Sequence, residues 1–393
     1  VYRRLTTQLL RTAADQNKPL FLMANTMDPH RPFVNSDQED IYGDFPPFKD
    51  QVPPPSKLYD PQDMVVPPFL PDLPEVRQEL AEYHASSRRA DDVIGAVLEA
   101  IDASGQWDNT LVIFLSDHGI SMPFAKSNAY WFSARTPIIF AGHGVPARGD
   151  IRPEMIQAID VMPTVLKRLG LPTPADLDGQ LIPGMTDQKV AAREQVYVQF
   201  YQGTEVRRHP IYAVHTKKFS YLFNPWSDGR RDLGASDFGE SISFKAMAQS
   251  TDPRIRARYQ FHRHRTLEEL YENESDPGNL NNLIDQPGYR EIADELRERL
   301  AEWFEDTASP GGNAFAHRDN PAILGQFIEA QLRDSLNRST PDDRTPIAYA
   351  AKEWAQDSAG WSPGGSEGIW IVEPRDGRFE IIQDGPSPRG VRA

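Results

Sequence analysis

The sequence predicts an α/β fold with a mixed sheet flanked by helices, followed by a smaller α+β subdomain that contains an antiparallel sheet. Short unbroken apolar runs such as Leu111–Leu115 have the length of buried strands, and amphipathic segments of helical period lie between them. Beyond about residue 187 the apolar runs become short and closely spaced, which is typical of antiparallel strands. We therefore expect residues 1–190 to form the α/β part, 191–308 the subdomain and 309–393 a C-terminal extension.

The α/β part is predicted element by element from its hydrophobic period. Apolar residues at helical spacing predict helices at 1–17, 74–104 and 154–169, with a kink at Pro163 in the last. Unbroken apolar runs predict buried strands at 20–24, 111–115 and 137–141. The charged residues at 88–92 are expected to form a solvated patch on the second helix.

The subdomain and the extension follow the same rules. Apolar runs predict strands at 196–201, 211–215, 219–223 and 267–271, and helical spacing predicts a terminal helix at 287–306. In the extension we expect a helix at 322–336 and a hairpin that pairs 368–372 with 379–382.

Composition narrows the classes of function. The 393 residues carry a formal net charge of −15, so the chain lacks the basic stripe of a nucleic-acid-binding protein. No apolar stretch approaches the ~20 residues of a transmembrane helix. The absence of cysteine excludes disulfides, thiolate metal sites and a cysteine nucleophile in this chain. The chain shows no signal peptide and begins with Val1, so we expect that residue 1 is not the translational start.

Two polar residues, Asp117 and His118, follow the strand at 111–115. They lie at its carboxyl end, where ligands bind in open α/β sheets. A carboxylate oxygen beside an imidazole nitrogen suits a divalent cation, or an anion that such a cation holds. The alternative left open is that Asp117 caps the next segment and His118 lies at the surface.

A second polar segment contains Asp28 and His30. The prolines on either side of His30 restrict its backbone and favour a fixed imidazole, although an ordinary proline turn is the alternative. Lys126 adds an ammonium, a point-charge partner for sulfate or phosphate oxygens. Together these side chains indicate a site for an anion that gains or moves negative charge.

Several motifs occur in a fixed order along the chain. They are PLFLMANTMDPHRPF, DNTLVIFLSDHG, the Lys126 segment, RTPIIFAGHG, IDVMPTVLKRLGLPTPADLDG and LYENESDPGNLNNLI. Over about residues 1–308 this order resembles that of sulfatases of the alkaline-phosphatase-like superfamily. The segments YDPQDMVVPPFLPDLPEVRQELAEY and GISMPFAKSNAYW resemble the sulfamidase branch, the N-sulfoglucosamine sulfohydrolases. The resemblance implies an alkaline-phosphatase-like fold in which residues 1–190 are the C-terminal portion of the catalytic domain.

The resemblance also implies a role for each site residue. Asp117 and His118 would be ligands of a calcium ion, with magnesium or manganese as alternatives. Sulfamidases usually carry asparagine at the position of His118, and other sulfatases carry histidine. Lys126 would contact a sulfate oxygen and the nucleophile. His30 would bind the sulfate and help to protonate the leaving group, and Asp28 would hydrogen-bond the sugar or its amine.

One element of the family pattern is absent from the sequence. Sulfatases use a formylglycine made from cysteine or serine in a C/S-x-P-x-R motif, and this chain contains no such motif. We therefore expect the nucleophile in an N-terminal portion of the same protein and expect this chain alone to be inactive. The implied reaction is hydrolysis of a sulfate ester or N-sulfate, of the type found on N-sulfoglucosamine in heparan sulfate. The implied partners are that N-terminal portion and a sulfated saccharide, in the periplasm or outside the cell, with a homo-oligomer as an open option.

Two other functions are kept as alternatives. A phosphonate or phosphodiester hydrolase of the same superfamily is compatible with His118, although the segment after Gly119 argues against it. A non-catalytic glycan-binding fragment is permitted by the absent nucleophile. His209, directly before Pro210, lies outside the matching motifs and is a candidate for lining the substrate pocket. The histidines at 215, 262, 264 and 317 are expected to be structural or at the surface.

Overall fold

The computed structural model describes residues 1–37, 53–145, 149, 151–202, 208–233, 241–338, 369–375 and 378–384, with side chains up to residue 333. The chain divides into two compact units. The first comprises Val1–Val65, Arg77–Thr110 and Arg338–Ala393, and the second comprises Val66–Val76 and Leu111–Asn337. The domain boundaries expected near residues 190 and 308 stay a prediction.

The first unit contains two helices and a small sheet. The helices are α1 (Tyr2–Asp15) and most of α2 (Pro74–Ala103), both close to their predicted bounds. The strands β1 (Leu22–Met23), β8 (Ile369–Arg375) and β9 (Arg378–Asp384) pair in the order β1-β8-β9, all antiparallel. The predicted C-terminal hairpin is thereby confirmed.

The strand predicted at 20–24 is shorter and more exposed than expected. Only Leu22 and Met23 form strand, and Phe21 and Met23 are 52% and 50% exposed. An apolar run reports β propensity, whereas burial requires a second layer over the strand. The prediction of a buried strand is therefore wrong for this segment.

Helix α2 is the longest helix that the structure describes, with 30 residues. Its sequence mixes apolar residues with many charged ones along its whole length. Across the described ranges, no helix combines the length and the apolar content that crossing a bilayer requires.

The second unit holds the remaining elements. Its strands are β2 (Leu111–Leu115), β3 (Ile138–Gly142), β4 (Gln195–Phe200), β5 (Ile211–Thr216), β6 (Phe219–Phe223) and β7 (Glu268–Glu272). Its helices are α3 (Trp131–Ala134), α4 (Val161–Arg168), α5 (Ile242–Gln249), α6 (Pro253–His264), α7 (Arg290–Thr307), α8 (Gly312–Ala316) and α9 (Pro321–Arg338).

The antiparallel sheet of the subdomain is confirmed. Strands β4 to β7 pair in sequence order, and each neighbouring pair is antiparallel. The central strands β5 and β6 are almost wholly buried, and α7 packs on the same core through Leu296, Leu300 and Phe304. Side chains of this sheet also contact the segment that follows Lys126, through His215 with Ala129 and Glu269 with Tyr130.

Strand β2 has the predicted bounds but a different setting. It pairs with β3 in antiparallel register, Leu111 opposite Gly142, and Leu115 is 44% exposed. An unbroken apolar run does not specify the direction of the neighbouring strand. The expectation of a buried strand is therefore wrong for this segment, and its pairing is not the parallel one that a run buried on both faces would favour.

Helix α4 begins later than predicted. Residues 154–157 are not helical, and Met155 instead forms an isolated bridge with Arg193 before a short 3-10 turn at Ala158–Asp160. Pro163 lies in the first turn of α4, where a missing N–H costs no intrahelical hydrogen bond. It therefore marks the start of the helix and not a kink within it. Ile159 and Met162, two apolar positions of the helix predicted at 154–169, are 49% and 53% exposed.

Helices α3, α5, α6 and α8 were not predicted. The two longest of them, α5 and α6, have signals in their capping residues. The Ser241 side chain accepts a hydrogen bond from the backbone N–H of Phe244 at the start of α5. Asp252 accepts from Arg254 at the start of α6, with Pro253 in the first position. Both are standard N-terminal capping arrangements. The periods of α5 and α6 are weak, so only the caps could have indicated them.

His215 makes the stability of this unit depend on pH. Its ring is fully buried in β5, and burial lowers its pKa from 6.5 to about 4. Because the unfolded chain takes up the proton first, stability is complete above pH 6.5 and falls as the pH drops towards 4. The expected loss is roughly 3 kcal/mol.

Urea unfolding of the wild type and of His215→Gln between pH 7 and pH 4 measures this loss. The variant should lose stability less steeply with falling pH than the wild type. His317→Gln, at an exposed position, should follow the wild type. Identical pH slopes for wild type and His215→Gln would contradict the assignment.

Candidate functional site

The carboxyl end of β2 carries the predicted metal-ligand pair. The backbone N–H of His118 donates to Oδ1 of Asp117 at 2.9 Å, and Nε2 of His118 lies 3.2 Å from Oδ2 of Asp117. Nδ1 of His118 lies 2.9 Å from the carbonyl oxygen of Gly119. The Asp117 side chain is 80% exposed, so the pair is open to solvent.

The contact with Gly119 fixes what the other ring nitrogen of His118 can do. A carbonyl oxygen only accepts, so Nδ1 carries a proton, and in the neutral imidazole Nε2 then presents its lone pair to Asp117. Two electron-rich atoms 3.2 Å apart repel unless a proton or a cation lies between them. A ring N–H held by a backbone carbonyl is also the usual arrangement of a metal-ligating histidine. The pair therefore fits a shared proton or a divalent cation.

The pair is too small to be a whole cation site. Calcium takes roughly six to eight oxygen ligands and magnesium takes about six. The portion of the chain that the structure describes contains no group of three His, Asp or Glu side chains placed to share an ion. Asp117 and His118 thus offer two ligands, and a complete coordination sphere requires further groups.

The segment that carries Lys126 folds back against this end of β2. A Cβ built on Gly119 would lie 2.5 Å from the carbonyl oxygen of Ala125 and 2.7 Å from that of Phe132. Only glycine permits such a close approach of two backbone segments. His118 and Lys126 are the chain neighbours of Gly119 and Ala125, so the structure brings the cation ligands and the lysine into one region.

The backbone on both sides of Lys126 has an unusual conformation. Phe124 has a φ of 72° and Ser127 a φ of 54°, in the left-handed region that residues other than glycine rarely adopt. The Ser133 hydroxyl donates to the carbonyl of Phe124 at 2.7 Å, and the guanidinium of Arg258 lies 3.7 Å from the Phe124 ring centroid. Strain that is held in place by several contacts is typical of functional segments.

Gly119→Ala is expected to destabilise the protein, because the new methyl group would overlap two backbone oxygens that cannot swing away. The expected loss is about 1–3 kcal/mol, the usual cost of overpacking. Gly95→Ala is the matched control, since a Cβ at Gly95 in α2 meets nothing within 4 Å. That change should stabilise the helix by about 0.5–1 kcal/mol. Urea unfolding compares the two, and shifts of equal sign would contradict the close approach at Gly119.

In the first unit, Asp28 is held by a side chain that the sequence did not single out. Nε and Nη2 of Arg89, on α2, donate to the two carboxylate oxygens of Asp28 at 2.6 and 2.8 Å. The two side chains are mostly buried, with 17% of Arg89 and 12% of Asp28 exposed. The expectation that residues 88–92 form a solvated patch is therefore wrong for Arg89. Charge order in a sequence does not reveal a partner 61 residues away.

His30 lies between two anchored neighbours. Its backbone N–H donates to the carbonyl of Met27 at 2.7 Å, and its Nδ1 lies 2.6 Å from the carbonyl of Arg31. Arg31 in turn pairs with the buried carboxylate of Glu79 at 2.7 Å. With Asp28 also tied to α2, the segment is held on both sides of His30. Because a carbonyl oxygen only accepts, Nδ1 carries a proton, and its hydrogen bond to Arg31 fixes the orientation of the ring.

His209 lies in the second unit, just before β5. Its backbone N–H donates to the carbonyl of Tyr201 at 2.9 Å, and its ring packs edge-on against Trp226 with centroids 5.2 Å apart. The imidazole is half-buried in this position. These contacts define a packing role, and the role of His209 in lining a substrate pocket stays a prediction.

Two arginines that the sequence did not single out contact residues of the candidate segments that are far away in the sequence. Arg89 holds Asp28, and Arg258 stacks on Phe124. No short motif contains both members of either pair. For Arg89 one signal was present, since it lies four residues after Ala85 on a face of α2 that is buried.

Comparison with known proteins shows which families the chain resembles. The Sulfatase family model matches residues 2–171, a range that contains Asp28, His30, Asp117, His118 and Lys126. This match confirms the resemblance to the sulfatases. A second model, for the C-terminal region of N-sulphoglucosamine sulphohydrolase, matches residues 118–227 and confirms the resemblance to the sulfamidase branch.

Individual relatives agree with this assignment. Human N-sulphoglucosamine sulphohydrolase is 27% identical over 333 residues, which are 78% of this chain and 64% of that protein. The multifunctional alkaline phosphatase superfamily protein PehA of Trinickia caryophylli is 35% identical over 136 residues, 33% of this chain and 26% of that protein. The chain therefore spans less than two thirds of the length of either relative.

A solved structure supports the fold class. It is a Bacteroides thetaiotaomicron protein from work on the metabolism of multiple glycosaminoglycans by a versatile core genetic locus. It superposes with a TM-score of 0.54 at 18% identity and covers 83% of this chain and 61% of that chain. Together with the mixed helices and antiparallel sheets, this likeness confirms the predicted alkaline-phosphatase-like class.

Proposed function

We propose that this chain is part of a sulfatase that removes sulfate from a saccharide, with N-sulfoglucosamine groups of heparan-sulfate-like glycans as the substrate. The observation that carries the proposal is the placement of the Lys126 segment against the Asp117–His118 pair. An ammonium and a cation-binding pair in one region supply positive charge for an anionic group. The sulfatase matches and the sulfamidase relative support sulfate as that group.

The residues of the second unit act on the sulfate in this proposal. The Lys126 ammonium donates hydrogen bonds to a sulfate oxygen and offsets the charge that builds up there. Asp117 and His118 would hold a divalent cation, calcium in the first instance, which when bound supplies further positive charge. The nucleophile is a formylglycine in the part of the protein outside these residues.

His30 and Asp28 have roles towards the leaving group and the sugar in this proposal. His30 donates a proton from Nε2 as the amine or alcohol departs, while the carbonyl of Arg31 keeps Nδ1 oriented. An amine is a poor leaving group unless it is protonated, so an N-sulfate makes this step more important. Asp28 stays paired with Arg89 and offers its remaining lone pairs to a sugar hydroxyl or amine.

A second candidate function is a phosphonate or phosphodiester hydrolase of the same superfamily. The observation that favours it is the match to PehA, which is described as a multifunctional protein of the alkaline phosphatase superfamily. Lysine and a divalent cation bind phosphate oxygens as readily as sulfate oxygens, so these charges alone do not separate the two reactions. The choice depends on the geometry around the leaving group and on the nucleophile.

The deciding experiment compares anion release by the protein at its full natural length. The substrates are N-sulfoglucosamine, glucosamine 6-O-sulfate, a phosphonate monoester and a phosphodiester. Ion chromatography measures the anion that each forms, which is sulfate, a phosphonate or a phosphate monoester. We expect the highest kcat/KM for N-sulfoglucosamine. Faster hydrolysis of an O-sulfate would change the substrate, and faster hydrolysis of the phosphonate monoester or the phosphodiester would establish the second candidate. Binding of heparin fragments without release of any anion would establish a non-catalytic glycan-binding protein.

The proposal extends to partners and location. We propose that the N-terminal portion of the same protein and the sulfated saccharide are its partners, and that it acts in the periplasm or outside the cell. Support comes from the family alone, so cell fractionation with an antibody is the test. Recovery in the cytoplasmic fraction would contradict the location. A homo-oligomer is tested by light scattering on the same sample.

A further inference from the structure

A fully buried polar network lies beneath the Lys126 segment. The side chains of Arg265 and Glu269 are both 0% exposed and lie 3.2 Å apart. Glu269 accepts hydrogen bonds from Tyr130 at 2.8 Å, from Tyr271 at 2.6 Å and from Asn224 at 2.7 Å. Arg265 also donates to the Tyr130 hydroxyl. A buried carboxylate with this many donors is fixed in one orientation, and it fixes the guanidinium beside it.

Asn128 connects this network to Lys126. Its Oδ1 accepts a hydrogen bond from Nη2 of Arg265, and its Nδ2 donates to the backbone carbonyl of Lys126 at 3.2 Å. The orientation of the amide is determined, because arginine only donates and a carbonyl only accepts. The next residue, Ala129, is held in turn by Nε2 of His215 at 3.0 Å. Asn128 itself is 7% exposed.

We propose that Asn128 is a positioning residue for Lys126, which transmits the fixed orientation of the Arg265–Glu269 pair to the lysine backbone. The inference rests on the proposed function, in which the Lys126 ammonium contacts a sulfate oxygen. Lysine has four flexible side-chain bonds, so the position of its ammonium depends on how firmly its backbone is held. The left-handed conformation of Ser127, between the two residues, needs such a hold to persist.

Asn128→Asp separates this role from general stability. Aspartate keeps the oxygen that accepts from Arg265 but replaces the donor to Lys126 with a second oxygen, which faces a carbonyl. We expect kcat to fall by about 10- to 100-fold, because a displacement near 1 Å of a catalytic group costs this much. We expect KM to change less than kcat. Asn282→Asp is the matched control. Asn282 also donates to a backbone carbonyl, that of Glu268 at 3.1 Å, and its oxygen accepts from the backbone N–H of Leu270, away from Lys126.

A double-mutant cycle with Lys126→Ala distinguishes a positioning role of Asn128 from a purely structural one. The measured quantity is the effect of Asn128→Asp on kcat, with and without Lys126. If Asn128 acts through Lys126, Asn128→Asp should lower kcat in the wild type and have no further effect when Lys126→Ala is present. An equal fold loss in both backgrounds would overturn the positioning role. Equal kcat values for Asn128→Asp and Asn282→Asp would overturn it as well.

Amide hydrogen exchange tests the positioning role of Asn128 independently of the proposed function. Peptides that cover residues 119–130 should exchange faster in Asn128→Asp, while peptides from β5 and β6 exchange as in the wild type. A wild-type protein that releases no sulfate would overturn the proposed function. Unchanged exchange over residues 119–130 would overturn the hold on Lys126, whatever the activity.

Discussion

Lys126→Ala is expected to lower kcat for sulfate release by roughly 10²- to 10³-fold, the usual cost of removing one donor that stabilises developing charge. The physical reason is the setting of Lys126, on a strained segment that rests against the Asp117–His118 end of β2. The removed ammonium leaves sulfate oxygens without a fixed positive partner in the transition state. Steady-state kinetics on N-sulfoglucosamine measures the loss.

A control lysine tests whether charge at this position matters. Lys218, in the turn between β5 and β6, is 69% exposed and only 3.9 Å from Glu272. Lys218→Ala removes the same charge from the same unit and should leave kcat within about twofold, because exposed charges contribute little. If both variants turn over at the same rate, Lys126 has no part in the reaction. Thermal unfolding of both variants shows whether either result reflects loss of folded protein.

Glu269→Ala is expected to lower the free energy of unfolding by about 3–5 kcal/mol, the cost of breaking a buried ion pair from one side. The change leaves the guanidinium of Arg265 buried without its carboxylate and removes the acceptor of Tyr130 and Tyr271. Burial already raises the pKa of both tyrosines well above the usual value, so neither ionises to compensate. Urea unfolding at pH 7 measures the difference.

Two further variants define what Glu269 contributes. Glu274→Ala changes an exposed glutamate near the end of β7 and should shift stability by no more than about 0.5 kcal/mol. Glu269→Gln keeps one accepting oxygen without the charge, so it should fall between the two. A loss in Glu269→Ala no larger than in Glu274→Ala would mean that the buried pair does not support the fold.

The sequence alone predicted those elements in which the hydrophobic period agrees with the burial seen in the structure. In β5, β6 and α7 every apolar position that the period places inside is covered, so the elements and their antiparallel pairing followed from pattern alone. In β1 and β2 the same kind of apolar run is half-exposed, because the run does not state which layer covers it or how the next strand runs.

The residues of the candidate site also include some that the sequence could predict and some that it could not. Asp117 with His118, and Asp28 with His30, are close in sequence, so the chemistry of each pair could be read locally. Arg89, Arg265 and Glu269 could not be assigned to the site, because the residues there that they contact lie 61, 137 and 139 residues away. A single sequence carries no record of such pairs, whereas the folded chain brings them to hydrogen-bonding distance.

The distance in sequence between Lys126 and its supports has a consequence for the order in which the molecule is made. Asn128 and Tyr130 depend on Arg265 and Glu269, which the ribosome adds 137 and 139 residues later. During that interval the segment around Lys126 has already been synthesised but lacks the side chains that define its shape. A nascent chain that stops short of Arg265 therefore contains every predicted site residue but lacks the hydrogen bonds that Arg265 and Glu269 make to Asn128 and Tyr130. These hydrogen bonds form only after β7, which carries Glu269, has been made and can pair with β6.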